Sequence, residues 1–209
     1  MLGNLYDRAL DGERCWIRHD DGRVHRLPVR RWLGGRDADE RFDRAVVGLC
    51  KGPTIDLGYG PGRLVTGLIR RGIPALGVDQ SVTAVGLARR SGAPVLHRDV
   101  FEPLPGTGRW ETVLLADGNV GLGGDPLRVL RRAAELLVRG GVCISEFDAT
   151  ASGIRTGLVR LESSRTIGPW FRWASVGVDC AAEIAEKAGF ALTRIHPIGG
   201  RVVVSLTAA

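Results

Sequence analysis

Short apolar runs of strand character alternate along this chain with segments whose apolar positions recur at helical spacing. The runs are Thr54 to Leu57, Ala75 to Val78, Pro94 to Val100, Glu111 to Ala116 and Val142 to Phe147. Between the first two, Leu64, Val65, Leu68 and Ile69 line one face of a helix over Arg63 to Arg71, which Gly72 and Pro74 end. Ser81 caps the next helix. Asp125-Pro126 opens a strong one running through Arg139 to Gly140-Gly141, because Asp is a good N-cap and Pro suits the first helical position. Phe101 to Trp110 is too short and too rich in Pro and Gly for a helix, so one crossover there is reduced to a loop. Asp179 caps a closing helix that Gly189 ends, and Phe190 to His196 with Arg201 to Leu206 form two last strands around Gly199-Gly200. Strands regularly interleaved with helices predict an α/β fold.

Two segments fall outside that alternation. Residues 1–44 form an N-terminal extension to a domain over 45–209: Cys15 to Leu27 alternates around an Asp-Gly turn as a β-hairpin, and Arg36 to Leu49 places Phe42, Val46, Val47 and Leu49 at helical spacing. Residues 149–178 form an insertion in which Leu158 to Glu162 and Gly168 to Trp173 suit two antiparallel strands around Ser163-Ser164-Arg165. Trp170, Phe171 and Trp173, with nearby arginines, suit a substrate wall; a patch packed on the sheet edge or on a dimer partner accounts for them nearly as well. In an extended segment Trp170 and Trp173 point to opposite faces, so only one can line a pocket.

The stretch with the most chemical content is Thr54-Ile55-Asp56-Leu57-Gly58-Tyr59-Gly60-Pro61-Gly62, a strand that breaks into three alternating glycines and opens a helix. Such glycines leave no Cβ between backbone and ligand, and the helix N-terminus beyond offers free N–H groups. The dinucleotide spacing G-x-G-x-x-G is not met, since Arg63 stands where its third glycine belongs. The pattern is Asp-x-Gly-x-Gly-x-Gly, whose carboxylate would repel a pyrophosphate and suits a ligand bearing an ammonium group and a sulfonium. Strand ends in the right order follow: Asp79-Gln80, Asp99-Val100 and Ala116-Asp117-Gly118-Asn119.

In these residues the chain resembles the class I S-adenosylmethionine-dependent methyltransferases, over about three quarters of its length, with Tyr59 in a slot that more often holds a small residue. The resemblance implies a Rossmann-like, seven-stranded, mostly parallel sheet in the order 3-2-1-4-5-7-6, its last strand antiparallel, with helices on both faces. It implies S-adenosylmethionine as cofactor, leaving as S-adenosylhomocysteine. It places Asp56, Gly58, Tyr59, Gly60 and Gly62 at the donor's methionyl part, Asp79 and Gln80 at the ribose, Asp99 and Val100 at the adenine, and Ala116 beside them. Asp117 is the candidate catalytic residue, lying nearest the transferred methyl group; His25, His97 and Glu146 are the other candidate bases, with no pairing legible among them. Tyr6, Asn119, Trp170 and Trp173 are candidate acceptor contacts, Tyr6-Asp7 because it resembles a short pattern that closes near the cofactor in some of these enzymes. The 149–178 insertion and the hairpin are expected to cover the pocket mouth. No metal is implied.

Composition narrows the acceptor. The formal charge of +6 comes almost wholly from arginines spread along the chain; with abundant Ala, Gly and Val this reads as a GC-rich bacterial genome more readily than as a nucleic-acid surface. The loop after the fourth strand lacks the Asp/Asn-Pro-Pro-Tyr/Phe grip of base-methylating enzymes and the Pro-Cys of cytosine-C5 enzymes. Both points favour a small-molecule acceptor, methylated on oxygen, nitrogen or carbon. A non-catalytic cofactor-binding protein of the same fold, a nucleic-acid methyltransferase and a dinucleotide oxidoreductase are the competing readings. Cys15, Cys50, Cys143 and Cys180 are scattered and no apolar run suits a signal or a membrane span, so a cytoplasmic monomer or homodimer is expected.

Overall fold

Alternating strands and helices account for most of the chain in the computed structural model, which describes residues 3–35 and 37–209. In chain order the elements are α1 (Gly3–Leu10), β1 (Cys15–His19), β2 (Val24–Arg26), α2 (Val29–Trp32), α3 (Asp37–Leu49), β3 (Thr54–Leu57), α4 (Arg63–Arg70), β4 (Ala75–Asp79), α5 (Val82–Arg90), β5 (Val95–His97), β6 (Trp110–Leu115), α6 (Pro126–Leu136), β7 (Leu137–Phe147), β8 (Ile154–Ser163), β9 (Phe171–Val176), α7 (Ala181–Lys187), β10 (Phe190–Ile198) and β11 (Arg201–Ala208). Arg36, where the sequence starts the third helix, lies outside the described residues, as do Met1 and Leu2.

Seven strands form the main sheet in the order β10-β11-β7-β6-β3-β4-β5. Counted along the chain from β3, that is the expected 3-2-1-4-5-7-6. β11 runs antiparallel to both its neighbours, and the other neighbouring strands of this sheet run parallel. Strand alternation sorts the core onto two faces. Ile55, Leu57, Val113 and Leu115 pack with α6 and α7, whereas Leu114, Ile144 and Val203 pack with α3, α4 and α5. A sheet covered on both faces explains why β3 is buried at all four positions.

Ser81 accepts the Ala84 N–H at 2.9 Å and Asp125 the Arg128 N–H at 3.0 Å, so both caps form. Some boundaries differ from the sequence reading, and β5 ends at His97 rather than Val100. α6 ends at Leu136 and not Arg139, because Leu137 is already extended and paired with Trp110; Gly140, at φ 75°, sits in the register shift that follows and is part of β7. Asp179 does not cap α7. Its carboxylate accepts the Ser152 hydroxyl at 2.8 Å and the Gly153 N–H at 3.1 Å, closing the loop that leads into β8.

A second sheet, β2-β1-β8-β9, joins the N-terminal hairpin to the 149–178 segment. β1 pairs with β8 from Cys15↔Ser163 to His19↔Val159, and β8 with β9 from Ile154↔Val176 to Val159↔Phe171. β8 is therefore longer than the sequence suggests, and β9 begins and ends three residues later than expected, so that Trp170 falls before it. Leu5, Ala9, Cys15, Leu27 and Leu161 form a small third core between α1 and this sheet.

Candidate functional site

After β3 the chain turns through Gly58 to Gly62 into α4, and the turn is held to β4 by the Gly58 N–H, which donates to Val78 O at 2.8 Å. Gly58 has φ 75°, and a Cβ there would stand 2.6 Å from Asn119 Nδ2, so backbone angle and space both demand glycine. At Gly62, φ 91°, a Cβ would meet Ala88 Cβ at 3.0 Å; this glycine lets α4 and α5 close up. Tyr59 turns its ring into the core against Gly77, so only its backbone belongs to the turn.

Carboxylates stand at the strand ends around this turn. Asp56 is buried, and among the described residues neither of its oxygens has a hydrogen-bond partner. Burial pushes its carboxyl up to about 7 against the pull of Arg63. Asp79 accepts the Gly60 N–H at 3.0 Å and the Ser81 N–H at 2.8 Å, and burial outweighs these donors to hold its carboxyl above the usual range. Asp99 accepts the Phe101 N–H at 2.9 Å, and the carbonyl of buried Val100 accepts from Arg132 Nε at 2.9 Å. Gln80 is exposed, with its carbonyl 2.9 Å from His97 Nε2; Ala116 is buried, its carbonyl accepting the Asn119 N–H at 3.0 Å. The Asn119 amide donates to the carbonyls of Leu57 and Gly58 at 3.0 and 2.7 Å.

α1 approaches the same turn from outside the main sheet. The Asp7 carboxylate accepts the Ser81 hydroxyl and the Thr83 N–H, tying α1 to the start of α5. This sets the Tyr6 hydroxyl 3.2 Å from where a Cβ on Gly60 would be, with the Tyr6 ring 5.4 Å from that of Trp32. Burial, then the charges of Asp79, Asp117 and Asp7, push the phenol well above its ordinary value, so Tyr6 is a neutral hydroxyl.

Beside the turn lies a buried charge network. Arg63, the first residue of α4, donates from Nε to Asp43 Oδ1 at 3.0 Å and pairs through Nη1 with Asp117 Oδ2 at 2.7 Å. Arg201, the first residue of β11, donates from Nη2 to Asp117 Oδ1 at 2.7 Å and from Nε to Glu146 Oε1 at 2.7 Å, and its guanidinium lies 3.4 Å from the centre of the Phe42 ring. Glu146 also accepts the Asp117 N–H at 2.7 Å. Asp117 has φ 53°, the left-handed region, and the two arginines hold it there. Burial opposes ionisation, but Arg63 and Arg201 outweigh it and hold the Asp117 carboxyl below the usual range.

Between this network and the second sheet is a cleft of about 500 Å³. Asp117, Gly118, Glu146 and Arg201 line one side. Ile17, His19 and His25 from the hairpin, Gly157 and Val159 from β8 and Trp173 from β9 line the other. Register explains the selection: Ile17↔His25, His19↔Val159 and Gly157↔Trp173 are partners across the sheet, and partners share a face. Trp170 is not among the lining residues; it is exposed, with the Arg160 guanidinium 4.6 Å from its ring centre. The structure thus brings Asp56, the glycines, Asp79, Tyr6, Asn119 and Asp117 into one neighbourhood and leaves Trp170 outside it. Sequence reasoning missed Arg63, Arg201, Asp43, Trp32 and His19. The legible signal for the first two was an arginine directly following a glycine turn at the carboxyl edge of the sheet.

No protein-family model matches the chain, and no curated protein matches it in sequence. Solved structures do match in fold. A SAM-dependent methyltransferase from Bacteroides fragilis, in complex with S-adenosyl-L-homocysteine, superposes with a TM-score of 0.78 at 18% identity, over 100% of this chain and 94% of that one. The sugar N-methyltransferase from Streptoalloteichus gives 0.61 at 16% identity, over 82% and 87%. The 1,6-didemethyltoxoflavin-N1-methyltransferase of Burkholderia thailandensis gives 0.59 at 19%, over 81% and 77%. The fold is that of the class I S-adenosylmethionine-dependent methyltransferases.

Proposed function

We propose that the protein transfers a methyl group from S-adenosylmethionine to a small molecule held in the cleft between the two sheets. The observation that carries this reading is the unpartnered, buried carboxylate of Asp56 beneath a turn of three glycines, a place suited to a cationic donor. The residues fit that donor: Gly58 and Gly60 expose backbone, Asp56 would supply negative charge near an ammonium group, Asp79 would hold the ribose, and Asp99 with Val100 would hold the adenine. The bound donor supplies an already activated methyl group. Asp117, clamped and ionised, adds a fixed negative charge at the loop nearest the reacting atoms, and Asn119 with Tyr6 borders the turn. The protein's contribution is chiefly alignment of the acceptor with that methyl group and exclusion of water beneath the second sheet.

Isothermal titration with S-adenosylmethionine tests the first half. Wild type is expected to bind, and Asp79→Ala to bind at least ~10-fold more weakly, since charge-assisted hydrogen bonds contribute about 1.5–3 kcal/mol. Equal affinities would remove Asp79 from the donor site. The second half predicts a contrast between tryptophans. Trp173→Ala should raise the acceptor KM or lower kcat by roughly 10-fold, an aromatic contact of about 1.5 kcal/mol, with donor affinity intact, while Trp170→Ala should leave both near wild type. The reverse pattern, read in a methyl-release assay against pooled metabolites, would put the acceptor outside this cleft.

A small molecule is the favoured acceptor because Ile17, Val159 and Trp173 give the roof of the cleft apolar and aromatic contacts, and the loop after β6 lacks a base-gripping motif. Binding to DNA or RNA oligomers that collapses steeply with salt would count against it.

A further inference from the structure

Methylation of an O–H or N–H nucleophile releases a proton, and the cleft contains few groups able to take it. Asp117 has both oxygens paired with arginines, and Glu146 has both engaged by Arg201 and the Asp117 N–H. Asp148 is saturated by Thr150, Ala151 and Ser175, and Asp20 accepts the Leu158 N–H at 2.7 Å. Asp21 is paired with Arg23 at 2.7 Å. On the roof, however, His19 and His25 stand together on the inner face of the hairpin, ring centres 5.2 Å apart at 80°, and among the described residues neither ring nitrogen has a hydrogen-bond partner. Both line the cleft, alongside Trp173 on the same face.

Resting on the methyl-transfer reading above, we propose that the His19–His25 pair is the proton acceptor for a planar acceptor molecule carrying a weakly acidic O–H or ring N–H. The apolar walls given by Ile17, Val159 and Trp173 suit a planar ring. In the step the nucleophile's O–H or N–H proton passes to an imidazole nitrogen as the new O–CH3 or N–CH3 bond forms. The methyl–sulfur bond breaks with its electron pair left on sulfur, so the donor's positive charge reappears as an imidazolium that solvent at the cleft mouth discharges. Burial first, then Arg23 and His25, lower the His19 imidazole below its ordinary value, so His19 is neutral near pH 7. The other charges facing the pair are Asp20 and Asp21 on the turn, Arg155 on β8, Arg31 on α2, Asp148 after β7, and the paired Asp117, Glu146 and Arg201 across the cleft.

The probe is 4-nitrophenol, whose phenolate is coloured and whose phenol is not. With S-adenosylhomocysteine present and at a pH below its own ionisation, wild-type protein should raise the phenolate absorbance. The His19→Gln/His25→Gln variant should abolish the rise, each single variant should diminish it, and His196→Gln, whose ring is bound to Ser205 Oγ at 2.8 Å on the far strand β10, should leave it unchanged. S-adenosylmethionine affinity should be the same in all of these proteins. No rise with wild type, or an undiminished rise with the double variant, overturns the proposal. Loss of donor binding in wild type would instead overturn the methyl-transfer reading itself, so the two failures are distinct.

Discussion

Arg201→Met should lower the unfolding free energy by about 3–5 kcal/mol, the cost of leaving a buried charge without its partner. Methionine keeps the aliphatic packing against Phe42 but removes the arginine that joins Asp117 to Glu146, leaving Glu146 with the Asp117 N–H as its remaining partner among the described residues, while Asp117 keeps Arg63. Side chains here are 12 to 15% exposed, so solvent screens the pair weakly. Urea denaturation with an unchanged slope and a lowered midpoint is the expected record. Arg201→Lys, which keeps the charge but not the two-pronged geometry, should fall between. A loss under about 1 kcal/mol would mean that the network behaves as exposed ion pairs do.

Asp56→Asn should change how stability depends on pH. In wild type the carboxyl is raised to about 7 in the fold from an ordinary value of 3.8. Between these limits the folded state holds a proton that the unfolded state has released, so stability from this group is full below the unfolded value and is lost as pH rises through the folded one. Relative to the variant, wild type should therefore lose about 2–3 kcal/mol between pH 5 and pH 8. Thermal or urea unfolding of both proteins at the two pH values measures the difference. Parallel curves would show that Asp56 carries a partner or a water path that spares it the cost of burial. Because the variant cannot titrate, its remaining slope also reports the other carboxylates together.

Local sequence carried the sheet. Each strand was bounded by residues with a definite backbone job, such as Ser81 as a cap, Gly72 after α4 and Asp125-Pro126 before α6, so the elements were legible; their order and direction came from the family resemblance. It misjudged the end of α6 because Gly140-Gly141 serves a bulge as readily as a stop, and only pairing with Trp110 decides between them. Asp56, Asp79 and Asp99 were legible because each ends a strand. Arg201 was not: its partners Asp117 and Glu146 lie 84 and 55 residues away, and no spacing rule links them. The pairing of β1 with β8 was equally hidden, since both read simply as alternating segments. Which tryptophan lines the cleft depended on the register of β8 with β9, and the meeting of His19 with His25 on the register of the hairpin itself.

The sheet that roofs the cleft also sets the order in which the molecule can be assembled. Its hairpin is synthesised before any of the main sheet, yet a two-stranded hairpin alone is marginal in water. Its stabilising partner arrives only with β8; Arg18 and Glu162, bonded at 2.8 Å, are 144 residues apart. Closing so long a loop is entropically unfavourable until the main sheet has drawn β7 and β11 together and shortened the gap. The main sheet is therefore expected to form first and the roof last. Amide hydrogens of β1 and β2 should exchange through a lower-energy opening than those of β3 and β6, a separation that leaves the roof free to lift while the floor stays folded.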